Sequence, residues 1–149
     1  MKASNSRGKG SGADLRWDHT GIKTADLACS LQFYCDILGL QQREVVEVLG
    51  RPYYFVGNAS IQLETEAANP TDTQADMRGL TGLYHLVLAV DDLDALAARL
   101  REHNVRFILP PAQFRPDRKI AFIADPDGVF IQLSISRPRE TTLAQDTSF

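Results

Sequence analysis

The chain is 149 residues long, 44% hydrophobic and 23% charged, proportions that build an ordinary globular core without disulfides or a structural metal. Its formal net charge of -3 supplies no basic field for a phosphate backbone, which excludes nucleic acid as the expected partner. No apolar run nears the roughly 20 residues that span a bilayer, and the opening MKASNSRGKGSGAD lacks the apolar segment of a secretory signal, so the expected location is cytoplasmic, without membrane contact.

Residues 1–13 are rich in Ser, Gly and Lys without periodicity and read as a disordered tail. A strand follows in WDHTGIKTADL and carries His19. Asp26 suits a helix N-cap, because its short carboxylate accepts orphan N–H groups of the first turn. Leu27, Leu31, Tyr34 and Leu38 continue at helical spacing as one apolar stripe, and Gly39 fits the left-handed position that ends a helix. Cys29 and Cys35 point in different directions on that helix and match neither a CxxC motif nor a disulfide framework, so both read as reduced side chains. Strand signals cover 43–49, 53–56 and Ile61-Gln62-Leu63, and the polar stretch 69–81 is a linker.

The second half repeats this order. LYHLVLAVDDL places His85 on a strand, Asp92 is the next N-cap, and Leu93, Leu96, Ala97 and Leu100 form the apolar stripe. Asn104 ends the helix, and His103 beside it is structural, a cation favoured by the helix dipole. Strands are expected over 105–109 and 119–124, then the turn Asp125-Pro126-Asp127-Gly128 and the last strand Ile131-Gln132-Leu133. PPAQFRPDRK reads as a Pro-rich loop whose Arg115, Arg118 and Lys119 are either solvated or face an anionic substrate tail. Residues 137–149 form a polar tail.

The repeat predicts an α+β fold: one domain over 14–136, made of two βαβββ modules (14–66 and 82–136) with curled mixed sheets around a shared groove. His19 and Gln62 lie 43 positions apart, His85 and Gln132 47, so matching strand positions of the two copies bring four polar side chains toward one pocket. Both pairs can ligate a metal or hydrogen-bond a ligand directly. Glu64 alternates onto the face of Gln62, with Ser134 as its match in the second copy, while Asp18 and Tyr84 are expected on the opposite face from their neighbouring histidines.

The stretches WDHTGIKTADLACSLQFYCDILGL, ASIQLE, GLYHLVLAVDDLDALAARL and IAFIADPDGVFIQLS resemble the vicinal oxygen chelate superfamily of glyoxalases, bleomycin-binding proteins and dioxygenases. The resemblance implies metal ligands on the first and fourth strands of each module, here His19, Gln62, His85 and Gln132, for a divalent ion such as Zn, Ni, Co, Mn or Fe. It implies a homodimer acting on a small-molecule substrate, as a metal-dependent lyase or isomerase similar to glyoxalase I. Where glyoxalase I has a Glu on the final strand this chain has Gln132, whose amide takes no proton at neutral pH. Glu64 is therefore the candidate base or substitute ligand. The alternative that the resemblance implies is a metal-free binding protein similar to the bleomycin-binding members.

Overall fold

The structure is a computed structural model that describes residues 15–74, 79 and 81–136; both terminal tails and part of the linker lie outside the described residues. The first module runs β1 (Thr20–Thr24), α1 (Leu27–Leu31), β2 (Gln41–Val48), β3 (Arg51–Gly57) and β4 (Gln62–Ala67). The second runs β5 (Leu86–Ala89), α2 (Leu93–Glu102), β6 (Phe107–Arg115), β7 (Arg118–Ala124) and β8 (Phe130–Ser136). Each module forms its own four-stranded sheet, in the orders β1-β4-β3-β2 and β5-β8-β7-β6. First and last strands pair in parallel and all other neighbours antiparallel. Strand twist curls these mixed sheets without closing a barrel, which is the expected pair of βαβββ units.

Short carboxylates start both main helices. Asp26 Oδ1 accepts the Cys29 N–H at 3.1 Å, and Asp92 Oδ1 accepts that of Ala95 at 2.9 Å. The bond from Cys29 also holds the Asp26 carboxyl below the usual carboxylate range. Gly39 and Asn104 take the left-handed conformation at the helix ends, with φ of 81° and 55°. Past Leu31, however, the first helix widens into a π-helical segment, Gln32–Ile37. Each widened turn adds a residue, so the 3.6-residue period falls out of phase. Of the expected stripe Tyr34 is fully buried while Leu31 and Leu38 are partly buried against the core, and Ser30, Phe33 and Ile37 are buried beside them.

PPAQFRPDRK is not a loop. Strand β6 continues through Pro110 and Pro111 to Arg115, and Lys119 already belongs to β7, where it pairs with Asp94 at 2.6 Å. β6 is an edge strand with three register shifts against β7, the setting in which a residue without an N–H is tolerated.

One hydrophobic cluster unites the modules, joining Phe33, Tyr34 and Val56 of the first to Leu100, Ile131 and Leu133 of the second. Full burial of each such side chain stabilises the fold by about 1.5–3 kcal/mol. The Asp125-Pro126-Asp127-Gly128 turn latches the modules together. Asp125 Oδ1 accepts the N–H groups of Asp127 and Val129, its Oδ2 accepts the Tyr34 hydroxyl at 2.8 Å, and Asp127 Oδ1 accepts the Ala25 N–H at 2.8 Å. Burial pushes both the Tyr34 hydroxyl and the Asp125 carboxyl above their ordinary ranges. Among the described residues, no helix is long and apolar enough to cross a membrane.

Candidate functional site

The helices cover one face of each sheet and leave the other for chemistry. On β4, Leu63 and Thr65 are buried in the helix-side layer, so the alternating Gln62, Glu64 and Glu66 point to the helix-free face. On β8, Ile131 and Leu133 are buried, which turns Gln132 and Ser134 the other way. His19 and His85 precede β1 and β5 by one residue.

Two corners result. In the first, His19 Nδ1 donates to Asp18 Oδ2 at 2.6 Å, its Nε2 lies 3.4 Å from Glu64 Oε2, and its ring meets Phe55 edge-on at 5.5 Å. In the second, the His85 ring meets Phe122 edge-on at 5.4 Å and Tyr84 at 4.2 Å, and its Nδ1 is buried without a hydrogen-bond partner. The expectation that Asp18 and Tyr84 turn away is thus wrong: each precedes its strand, where strict alternation does not operate, and each touches its histidine. Phe55 and Phe122 were not singled out from the sequence. An aromatic residue on the third strand of each copy was the available signal.

Strand register revises the pairing of the two copies. In module one the parallel ladder pairs Thr20 with Leu63 and Gly21 with Glu64; in module two it pairs Leu86 with Ile131 and Val87 with Gln132. Counted from each histidine, Glu64 and Gln132 occupy the same place. The third strand agrees, since Phe55 is paired with Glu64 and Phe122 with Gln132. Gln62, opposite Gly57, lies one residue before Leu63, the partner of Thr20. Ser134, expected to match Glu64, instead corresponds to Glu66.

Among the described residues the corners share no hydrogen bond, ion pair or ring contact, and no group of three or more His, Cys, Asp and Glu is arranged to hold a metal ion. The donor types nevertheless suit a divalent cation: imidazole nitrogens, a carboxylate and amide oxygens. The buried, unpartnered Nδ1 of His85 fits such use. Neither corner alone has enough donors to hold an ion. A cleft of about 570 Å³ lies elsewhere, between Lys23, Asp72 and Asp127, and is lined by neither histidine.

The model of the Glyoxalase/Bleomycin resistance protein/Dioxygenase superfamily matches residues 16–133, which contain both corners. The chain belongs to that superfamily. Among its relatives, a probable lactoylglutathione lyase of Synechocystis is 32% identical over 124 residues, 77% of this chain and 91% of the relative. A protein of Escherichia coli called YaeR, described as uncharacterized, is 30% identical over 77% of this chain and 92% of its own length. A catechol-2,3-dioxygenase of Bacillus subtilis is 31% identical over 86% of this chain, which spans only 44% of that protein. Among solved superfamily structures, the glyoxalase/bleomycin resistance protein/dioxygenase domain from Frankia superimposes with a TM-score of 0.70 at 20% identity, covering 83% of this chain and 98% of that one, a likeness of fold alone.

Proposed function

We propose that this superfamily member is a metal-dependent lyase or isomerase, similar to glyoxalase I, acting on a small substrate that presents two adjacent oxygens. The observation that carries the reading is the duplicated corner, a histidine packed edge-on against a phenylalanine with an oxygen-bearing side chain from the last strand. His19 and His85 are the imidazole ligands, Gln132 is the second-module oxygen donor, and Gln62 or Glu64 is the first-module one. These residues would hold a divalent ion of Zn, Ni, Co, Mn or Fe, which when bound would supply Lewis acidity toward a substrate oxygen and so favour loss of a proton from the neighbouring carbon. Asp18 holds the Nδ1–H of His19 and leaves Nε2 facing the site. Glu64 is the carboxylate near the site that can take a proton; Gln132 cannot. The lyase named among the relatives supports this choice of reaction class.

A homodimer is part of the proposal, because a second copy supplies the corner that each sheet lacks. Exposed apolar side chains such as Val87 and Phe114 support such a contact. A cytoplasmic setting suits the two free cysteines. A second reading, metal-free sequestration of a small molecule, is favoured by the aromatic walls of Phe55 and Phe122 beside amide side chains that hydrogen-bond without a metal.

Elemental analysis of protein purified without chelator decides between them. The metal reading predicts about one ion per chain, lost in His19→Ala, and a higher melting temperature on adding Ni, Zn, Co or Mn. Metal well below stoichiometry and no thermal shift with any of these ions would end it. A His19→Ala, His85→Ala double variant that still binds its small molecule fully would establish the sequestering role instead.

A further inference from the structure

We infer that the cleft between the linker and the Asp125-Pro126-Asp127-Gly128 turn is a binding site for a small organic cation, a primary ammonium on a short apolar stem, held by Asp127. The cleft encloses about 570 Å³ and is lined by neither histidine, so the assignment stands apart from the metal-dependent reading. Three distant stretches of chain wall it: the end of β1 with Ala25, the linker residues 68 and 71–74, and the turn with Val129. Hydrogen bonds tie these walls to one another. Lys23 Nζ donates to Asp72 Oδ2 at 3.1 Å, the Ala25 N–H donates to Asp127 Oδ1 at 2.8 Å, and the Gln74 amide donates to the Asp127 carbonyl. The cavity is thereby held open by the fold itself, which lowers the ordering cost of filling it.

The polar groups of the cleft select the ligand. Asp127 Oδ2 is buried without a hydrogen-bond partner, while the other oxygen of that carboxylate is spent on Ala25. A carboxylate oxygen taken out of water is costly unless a donor meets it. Lys23 and Gln74 do not meet it, being committed to Asp72 and to a backbone carbonyl. Among the described lining residues the charged groups are one ammonium and two carboxylates, and the pairing of Lys23 with Asp72 leaves the charge of Asp127 uncompensated. A ligand ammonium supplies the missing donor and the missing charge together, and as a compact cation it suits a single oxygen. Ala68, Pro126 and Val129 give its stem an apolar wall. An anion would have to take Lys23 from Asp72 and would face the carboxylate of Asp127.

Titration of the full chain with n-pentylamine, read from the backbone amide resonances of Ala25, Gly128 and Val129, tests this, with pentan-1-ol and pentanoate as the neutral and anionic counterparts. The amine is expected to shift these resonances saturably, and neither counterpart to do so. Asp127→Asn keeps the oxygen that accepts from Ala25 and turns the unpartnered position into a donor, so amine binding is expected to weaken at least about tenfold. Lys23→Met removes the competing cation and frees Asp72, and is expected to tighten amine binding at least about threefold. That second variant keeps the inference testable should Asp127→Asn not fold. No saturable shift with the amine, equal shifts with pentan-1-ol, Asp127→Asn within about threefold of wild type, or weaker amine binding in Lys23→Met overturns the site. Saturation by pentanoate that is lost in Lys23→Met makes the cleft an anion site and overturns the inference as well.

Discussion

Asp18 is mostly solvent-exposed, yet it sets the geometry of the first corner. Its carboxylate accepts the Nδ1–H of His19 at 2.6 Å and so fixes which nitrogen faces Glu64. Asp18→Asn is expected to leave the melting temperature unchanged while weakening divalent-metal affinity about tenfold; calorimetry and thermal denaturation read the two separately. Tyr34 acts at a distance from the corner, through stability. Tyr34→Phe leaves the buried Asp125 Oδ2 without its donor and is expected to cost about 1–3 kcal/mol in denaturant unfolding. Asp125 itself gives a pH signature. Burial raises its folded-state value, so the protonated carboxyl is the better-tolerated form, and its contribution is greatest below the unfolded value and lost as pH rises through the folded one. Wild type should therefore gain stability relative to Asp125→Asn as pH falls from neutrality into the carboxylate range, and a difference that shrinks instead would contradict that account. The two histidine corners stood out in the sequence because the motif repeats around them, and Glu64 stood out as a candidate base. That Glu64 and not Gln62 shares the ladder position of Gln132 was not readable, since the local match of Ile-Gln-Leu aligns Gln62 with Gln132, and strand register is set by pairing partners far away in the chain.

At the scale of elements, capping chemistry was readable where periodicity failed. Asp26 and Asp92 bind the N–H groups expected of them, because capping depends on one short side chain and its immediate neighbours. The apolar stripe of the first helix was only partly right, with Tyr34 in the core and Leu31 and Leu38 at its edge, because a widened turn follows it, which local spacing does not announce. The prolines of β6 misled for a related reason. Proline excludes a central strand, but edge position and bulges are properties of the assembled sheet. The turn from β3 to β4 sets the height of Gln62 and Glu64, and Gly57 is its critical member. A Cβ there would collide with the Ile61 carbonyl, which the Asn58 N–H already holds at 2.9 Å. Gly57→Ala is expected to destabilise the fold by about 1–3 kcal/mol and to lower metal affinity by moving β4 against β3.

For the molecule as a whole, duplication was the strongest signal and the fold followed it: two four-stranded sheets, each with a parallel outer pair, over one core latched by Tyr34 and Asp125. How the helix-free faces of two sheets meet was beyond local pattern, because it depends on docking between modules or between copies. The account therefore stands on convergence, the joining of a His19 corner to a His85 corner about one ion. Anomalous diffraction at the cobalt edge from crystals grown with cobalt tests that most directly. The prediction is one strong peak per chain bounded by His19, His85 and Gln132 with Gln62 or Glu64, the two corners drawn from one chain or from two; peaks only at other sites, or at a single histidine without the opposite corner, would contradict it.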